Sequence, residues 1–179
     1  MTAVAAATLS LWFRLRGFAL TTLLVHVPEA TRAAAVLGAP QDGDTPPHVT
    51  IAYPFTRSAL GATTSRELAR LFAEHASFEL ELHTVRRFDD VAYLAPRDPE
   101  SFAVLAEAVQ RRFPGNPLYG GMFESYIPHL ALGPVPRLTT ALQSEVEHLL
   151  PIRTQVREVE LWGLHRRRWA LIKPFPLAI

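Results

Sequence analysis

The chain has 179 residues, of which 49% are apolar and 20% are charged. This is the composition of an ordinary globular protein, and it excludes a disordered or coiled-coil chain. The absence of cysteine excludes disulfides, thiolate zinc sites and cysteine nucleophiles. A formal net charge of +1 provides no long-range field that would favour bulk nucleic-acid or membrane binding.

The N-terminal segment fits neither a membrane span nor a secretory signal. Arg14 and Arg16 interrupt its apolar run, which stays below the roughly 20 residues that a spanning helix needs. A secretory signal would carry its positive charge before the apolar region. The Ala-rich, acid-free start weakly resembles an organelle transit peptide. We prefer to interpret residues 1–17 as a flexible extension and residues 18–179 as a single domain of a cytoplasmic protein.

The first part of the domain predicts two strands separated by a short helix. The apolar run from Leu20 to Val27 is typical of a buried strand. A short helix containing Arg32 to Leu37 follows and ends at Gly38. Residues 39–47 hold prolines and a glycine and predict a loop, and His48 to Tyr53 predict the next strand.

The middle of the chain predicts a hairpin between two helices. Thr64 and Glu67 have the spacing of a capping box at the start of the first helix. Residues 78–82 alternate between apolar and polar, and we expect them to pair with residues 91–95. Asp98 predicts the start of the second helix. The apolar face of that helix consists of Phe102, Leu105, Val109 and Phe113.

The last part predicts a Gly- and Pro-rich loop over 114–121, a strand over 126–132 and a helix over 138–149. Two strands, around 156–164 and 169–175, complete the chain. Hairpins occur beside strand–helix–strand units in this total of about four helices and seven strands. The pattern therefore favours an α+β protein with largely antiparallel sheets over a doubly wound parallel sheet.

Two short segments of the sequence resemble each other. PHVTIAYP starts at Pro47 and PHLALGP starts at Pro128, so that His48 and His129 lie 81 positions apart. On a strand, side chains at i and i+2 share a face, so we expect His48 beside Thr50 and His129 beside Ala131, with apolar residues behind them. A loose internal duplication would bring one histidine from each copy to a shared cleft.

Two histidines in one cleft can divide acid and base work. With ordinary pKa values near 6.5, a neutral imidazole takes a proton from an attacking hydroxyl or water, and a charged one gives a proton to the leaving oxygen. The hydroxyl of Thr50 could donate to a phosphoryl oxygen as charge develops there. This division suits phosphodiester cleavage without a metal. The alternative is that His48 and His129 have only a structural role.

With these motifs the chain resembles the two-histidine phosphoesterase superfamily, in its 2′-5′ RNA ligase-like branch. The mark of that family is a pair of His-x-Thr/Ser motifs on strands roughly 80 residues apart. The resemblance covers about residues 18–177. Its segments are ALTTLLVHVPEA at 19–30, HVTIAYPF at 48–55, FELEL at 78–82 and RWALIKPFPL at 168–177.

The resemblance implies a bilobal α+β fold, with two mainly antiparallel sheets around a central cleft and helices on the outer faces. It implies hydrolysis or transfer at 2′,3′-cyclic phosphates or 2′-5′ linkages of RNA or nucleotides, without metal or other cofactor. His48 and His129 carry over as the catalytic pair, and Thr50 as a phosphate-binding residue. The implied partner is a nucleotide or RNA terminus, and we expect a monomer.

The sequence departs from the family pattern at Ala131, where the family has Thr or Ser. Ser125, Tyr126 or an arginine of 166–168 could supply the missing hydrogen-bond donor. We therefore include Tyr126 and Arg166, with Tyr53 as a possible base-stacking residue, among the expected substrate-binding residues. The alternatives are a weakly active or non-catalytic nucleotide-binding module of the same fold, and a scaffold protein with structural histidines.

Overall fold

The computed structural model describes residues 20–38, 45–56, 61–121, 125–166 and 168–179. The predicted extension over residues 1–17 lies outside the described residues. Within them the chain forms eight strands and four α-helices. These are β1 Leu20–His26, α1 Thr31–Leu37, β2 His48–Ala52, α2 Ala62–Ala73, β3 Phe78–Arg87, β4 Val91–Pro96, α3 Glu100–Arg112, β5 Leu130–Pro134, α4 Thr140–Glu147, β6 Ile152–Val156, β7 Glu158–His165 and β8 Arg168–Pro176.

All eight strands belong to one sheet in the order β6-β3-β4-β5-β2-β1-β7-β8, and every neighbouring pair is antiparallel. This confirms the α+β class with antiparallel pairing. The two sheets that the resemblance implied are two halves of one sheet. The halves meet where β2 pairs with β5, and the register there consists of the single pair Val49↔Leu130.

The helices share one apolar core with one face of the sheet. Leu37 of α1, Leu68 of α2, Leu105 of α3 and Val146 of α4 are buried in the same cluster as the inward-facing strand residues. Burial of this continuous apolar layer is the main favourable term in folding. The opposite face of the sheet is therefore left as the face on which polar side chains can gather.

The two halves repeat one unit, as the duplicated segments suggested. In the first, β1, α1 and β2 form a strand–helix–strand unit whose strands are antiparallel neighbours. In the second, β4, α3 and β5 do the same. The second strands of the two units, β2 and β5, lie side by side at the centre of the sheet. This topology brings the two histidine motifs together.

Several predicted boundaries were wrong. The helix assigned to the capping box begins at Ala62, so Thr64 lies inside its first turn and forms no cap. The strand predicted over 126–132 begins only at Leu130. The helix predicted over 138–149 is shorter, because the side chain of Thr139 caps its start by accepting a hydrogen bond from the Leu142 amide (3.3 Å).

The sequence prediction also missed a strand. Strand β6 has only Ile152 and Val156 buried, with three polar residues between them, so it carries little hydrophobic signal. The structure has eight strands where seven were expected, counted over the described ranges. No helix in those ranges is long and apolar enough to cross a membrane.

Candidate functional site

The register between β2 and β5 places the two motifs face to face. Because Val49 is opposite Leu130 in an antiparallel pair, Thr50 lies opposite His129, and His48 lies opposite Ala131. Side chains directly opposite on one face have Cβ atoms about 5 Å apart, and diagonal neighbours about 7–8 Å. The two imidazoles are such diagonal neighbours. His129 itself immediately precedes β5 rather than lying within it.

Burial confirms which face carries the site. Val49, Ile51, Leu130 and Leu132 are fully buried in the core on the helix side of the sheet. The alternate residues of the two motifs, which are His48, Thr50, His129 and Ala131, are only partly buried. In the first motif, the polar residues His48 and Thr50 are therefore backed by apolar residues on the other face, as expected. In the second motif only His129 is polar, because Ala131 takes the position that corresponds to Thr50.

Both histidines are held by the same local contact. The Nδ1 atom of His48 lies 2.7 Å from the carbonyl oxygen of Pro46, and that of His129 lies 2.8 Å from the carbonyl oxygen of Ile127. A carbonyl oxygen can only accept, so each Nδ1 carries the hydrogen. The Nε2 atom of each neutral ring then has its lone pair free for proton exchange.

The surroundings favour the neutral form of both rings. Burial lowers the pKa of His48 below 6.5, and repulsion from His129 and His26 lowers it further, against the raising effect of its bond to Pro46. Burial likewise lowers the pKa of His129, against the bond to Ile127. The repulsion from His129 agrees with the diagonal position of the two rings across β2 and β5.

Aromatic side chains orient the ring of His129. Phe88 lies edge-on to it with centroids 5.0 Å apart, and Tyr93 does so at 5.4 Å. Phe88 and Tyr93 also stack on each other at 4.3 Å. Tyr93 is buried but lies outside the core cluster, as expected for a residue on the cleft face opposite Ala131. Edge-to-face contacts of this kind restrict ring rotation.

Two tyrosines fix the position of Thr50. The hydroxyl of Tyr126 donates to the backbone carbonyl of Thr50 (2.7 Å). The side chain of Tyr119 forms a hydrogen bond with the side chain of Thr50; burial raises the pKa of Tyr119 to about 12, and the bond to Thr50 opposes this rise. Tyr119 therefore stays protonated at neutral pH, and its bond with Thr50 helps to hold the Thr50 side chain in place. Sequence analysis missed Tyr119, because nothing in a Gly-rich loop signals a contact with a strand 69 positions earlier.

The three donors proposed to replace a hydroxyl at position 131 have different positions. Ser125 is exposed. The hydroxyl of Tyr126 is engaged with the backbone of Thr50. Leu24 of β1 is paired with Thr50 on one side and with Glu160 of β7 on the other, so Thr50 and Glu160 lie in one row across the sheet. Arg166 lies six residues beyond Glu160, in the turn between β7 and β8. At about 3.4 Å per residue, that is roughly 20 Å along the strand, so the structure does not bring Arg166 to the histidines.

Tyr53 lies just past the end of β2, with its ring centroid 6.3 Å from that of Trp169. Trp162 lies on β7, and its indole Nε1 donates to the Glu160 carboxylate (2.7 Å). These aromatic residues belong to the β1–β7–β8 half of the sheet, whereas Phe88 and Tyr93 belong to the other half. Phe88 and Tyr93 contact His129 directly, whereas Tyr53 and Trp169 lie farther along the sheet, towards the β7–β8 turn.

A further histidine and two carboxylates lie beside His48. His26 is directly opposite His48 on β1. Glu158 and Glu160 follow on β7, and burial, followed by repulsion from Glu160, raises the pKa of Glu158, while nearby His26 lowers it. Within the described ranges, no three His, Asp or Glu side chains are grouped so that they could hold a metal ion.

Comparison with known proteins identifies relatives of this fold. A model of the 2'-5' RNA ligase superfamily matches residues 24–168. A crystal structure of E. coli LigT with NADP+ superposes with a TM-score of 0.57 at 17% identity, covering 90% of this chain and 99% of LigT. The protein TT0787 of Thermus thermophilus has a TM-score of 0.55 at 16% identity, covering 88% and 97%. No curated protein matches the chain.

Proposed function

Because this chain belongs to the 2'-5' RNA ligase superfamily, whose members are two-histidine phosphoesterases, we propose that it is a metal-independent phosphodiesterase acting on a 2′,3′-cyclic phosphate or a 2′-5′ linkage of RNA or a nucleotide. The observation that carries the proposal is the pair His48 and His129. They lie diagonally across two central strands, and each is fixed through Nδ1 to the carbonyl two residues earlier. Two free Nε2 atoms are what acid–base catalysis at one phosphorus requires.

The proposed reaction on a cyclic phosphate is hydrolysis. One neutral histidine takes a proton from water through Nε2 as the water oxygen attacks phosphorus. The bond from phosphorus to one ribose oxygen breaks, and the other histidine, protonated, gives its proton to that oxygen. The product is a phosphomonoester, and the protons balance. Either histidine can serve as the base in this scheme.

Thr50 stabilises the charge that develops on the phosphoryl oxygens. Its hydroxyl lies opposite His129 on the same face and is held by a hydrogen bond with the side chain of Tyr119. A hydroxyl fixed in this position would compensate in part for the missing hydroxyl at Ala131.

Known complexes support a nucleotide in the cleft. LigT structures of the same fold have been solved with ATP and with 3'-AMP. Phe88 and Tyr93, which contact His129, would stack on a base, and Tyr53 with Trp169 would stack on a base farther along the sheet. The role of Arg166 as a substrate-binding residue stays a prediction.

The second candidate is a nucleotide-binding module without catalysis, and the specific observation in its favour is Ala131. A hydroxyl at this position would lie opposite Tyr93 and beside His129, where it could reach a phosphoryl oxygen. Removing one donor to developing charge costs on the order of 10²–10³ in rate in other enzymes. Binding would survive such a loss.

Turnover measured in EDTA decides between the two. The panel holds 2′,3′-cyclic nucleotides, a 2′-5′ dinucleotide and an RNA ending in a cyclic phosphate. We expect turnover by the wild type and its loss in H48N and H129N, with H148N as the matched control, because His148 is exposed at the end of α4. Binding without turnover in the wild type would favour the module. Neither binding nor turnover would reject both.

A further inference from the structure

Two arginines, Arg97 and Arg153, lie close together on the face of the sheet that carries the two histidines, at the edge formed by β6 and β3. On β3, Leu80 and Leu82 are buried in the core, so Glu81 points to the opposite face. Glu81 is paired in register with Arg153 of β6. Its carboxylate accepts from Nε of Arg97 at 2.6 Å through one oxygen and from Nε of Arg153 at 2.9 Å through the other.

The geometry of these ion pairs leaves the terminal nitrogens of both arginines available. The contacts to Glu81 use Nε of each guanidinium. The side chain of Glu81 is only 15% exposed, while those of Arg97 and Arg153 are 65% and 60% exposed. The carboxylate of Glu81 thus orients both guanidinium groups, and their Nη atoms, which suit phosphate oxygens, face solvent.

The same residues line a cavity of about 390 Å³, together with His83 and Thr84. The Nδ1 atom of His83 is buried, and no described residue gives it a hydrogen-bond partner. A buried polar atom without a partner is costly and indicates a ligand or ordered water. Glu147 also lines the cavity, and Gln143 of its own helix holds one of its carboxylate oxygens by a hydrogen bond (2.8 Å), so that a bound phosphate must approach from the side of the two arginines.

The cavity is aligned with the catalytic pair. Thr84 is paired in register with Ala95 of β4. Since Leu94 is opposite Leu130, Ala95 is opposite His129. Thr84 and His129 therefore lie in one row, two strands apart, or about 10 Å. One phosphoryl group cannot contact both sets of groups at that spacing, so a phosphate in the cavity would belong to a neighbouring nucleotide.

We infer that this cavity, formed by Arg97, Arg153, His83 and Thr84, binds a second phosphate of the same strand as the reacting one, so that the preferred substrate is an oligonucleotide end rather than a mononucleotide. This inference rests on the proposed function. The two guanidiniums hold the pKa of Glu81 below its usual range, so its carboxylate stays charged and keeps them oriented. Because the ion pairs are exposed, replacing either arginine leaves the fold intact.

The experiment compares a 2′,3′-cyclic mononucleotide with a trinucleotide ending in a 2′,3′-cyclic phosphate, in wild type, R97Q, R153Q and R111Q. Arg111 is the matched control, because it is an exposed arginine paired with Glu107 on a helix. We expect R97Q and R153Q each to lower kcat/KM for the trinucleotide by at least about tenfold, the lower value for one charge-assisted hydrogen bond, and to leave the mononucleotide unchanged. The salt dependence for the trinucleotide should weaken by about 0.7 in log–log slope per lost contact.

Equal effects on both substrates, or none, would overturn the inference while the proposed function stands. If the wild type turns over neither substrate, the proposed function fails. In that case, anisotropy of a labelled trinucleotide carrying a 3′-phosphate, compared with a 3′-mononucleotide, tests the cavity alone. Binding of the trinucleotide that R97Q and R153Q weaken, and R111Q does not, would support the cavity. Binding that all three variants leave unchanged would reject it. Inorganic phosphate that competes equally against both ligands would also reject it.

Discussion

The two central strands hold equivalent histidines in different surroundings. His48 and His129 make the same Nδ1 contact to the carbonyl two residues earlier. Beside His48, Thr50 is supported by the hydroxyls of two tyrosines. Across from them, Ala131 offers no hydroxyl, and two aromatic rings pack against His129. In the proposed site, one half would therefore provide hydrogen bonds to the phosphate, whereas the other half orients the ring of His129 through aromatic contacts.

In the proposed reaction, both copies of the motif contribute a histidine to proton transfer, but only the first copy contributes a hydroxyl that binds the phosphate. Proton transfer needs both imidazoles, since the base and the acid act in the same step. Stabilisation of charge can be shared unequally, because one well-supported donor can compensate for a missing one. The following predictions test each side of this comparison.

The largest effect is expected from the histidines. H48N and H129N each should lower kcat by about 10²–10⁴, the usual contribution of a general acid or base. Because the two act as a unit, the double variant should be little worse than either single one. Turnover of a 2′,3′-cyclic nucleotide measures this. A histidine whose replacement costs less than tenfold would not be part of the pair.

The next effect concerns the phosphate donors. T50V should lower kcat by about 10²–10³, the cost of one such donor elsewhere, while KM changes less. A131T in the T50V background should regain about tenfold, since it restores a hydroxyl on the other strand. Single-turnover rates separate this from product release. If T50V has little effect and A131T alone greatly speeds turnover, the phosphate is bound from β5 rather than, as proposed, from Thr50 on β2.

A smaller effect is expected from Tyr119. Y119F removes one hydrogen bond to Thr50, and a net contribution of about 0.5–1.5 kcal/mol corresponds to a 2- to 10-fold fall in kcat. The test is the double variant: with T50V present, Y119F should cost nothing further, because its effect passes through Thr50. Equal losses in both backgrounds would mean that Tyr119 has a merely structural role.

The pH profile follows from the lowered pKa values of both histidines. Both limbs of the kcat/KM profile report the free enzyme, so its maximum should lie below pH 6.5 rather than near neutrality. Measuring kcat/KM between about pH 4.5 and 8 in constant ionic strength checks this. An optimum above pH 7 would contradict the neutral state of the empty site.

The smallest effect is on stability. Burial holds the pKa of His48 in the folded protein below its value of 6.5 in the unfolded chain. Between these two pKa values, the unfolded chain therefore binds more protons than the folded protein. The stabilising contribution of the neutral ring is complete above about pH 6.5, and it is lost as the pH falls through the folded pKa. H48Q should therefore lose less Tm than the wild type between pH 7 and 5, at about 2–4 °C for each kcal/mol. Parallel Tm curves would contradict this.

The sequence predicted most of the core elements because their signals are local. The apolar run at Leu20 and the alternation from Phe78 to Leu82 both became strands, and Gly38 ended its helix in the left-handed conformation (φ +59°). The polar strand β6 was missed because it is stabilised by its position at an edge and by pairing with β3, rather than by its own burial.

The histidine pair was predictable because both copies repeat one local pattern. The supporting residues were not, because each reaches the site across the fold. Tyr119 contacts a strand far away in sequence, and Phe88 contacts His129 from the β3–β4 turn. Arg166 was expected at the site for its charge, but the length of β7 places it elsewhere. The placement of such residues depends on strand length and register, which no short motif encodes.

The junction between the two halves of the sheet has a mechanical consequence. In the described register, β2 and β5 are joined through Val49↔Leu130 alone, whereas β1 and β7 are joined through five successive pairs. Bending the sheet at this line disturbs fewer ladder hydrogen bonds than bending it between β1 and β7, while the shared apolar core keeps the halves together. The distance between the two imidazoles is thus among the more compliant dimensions of the molecule. In the proposed reaction, this compliance would let the two histidines follow a phosphorus atom that changes from four to five oxygen neighbours and back.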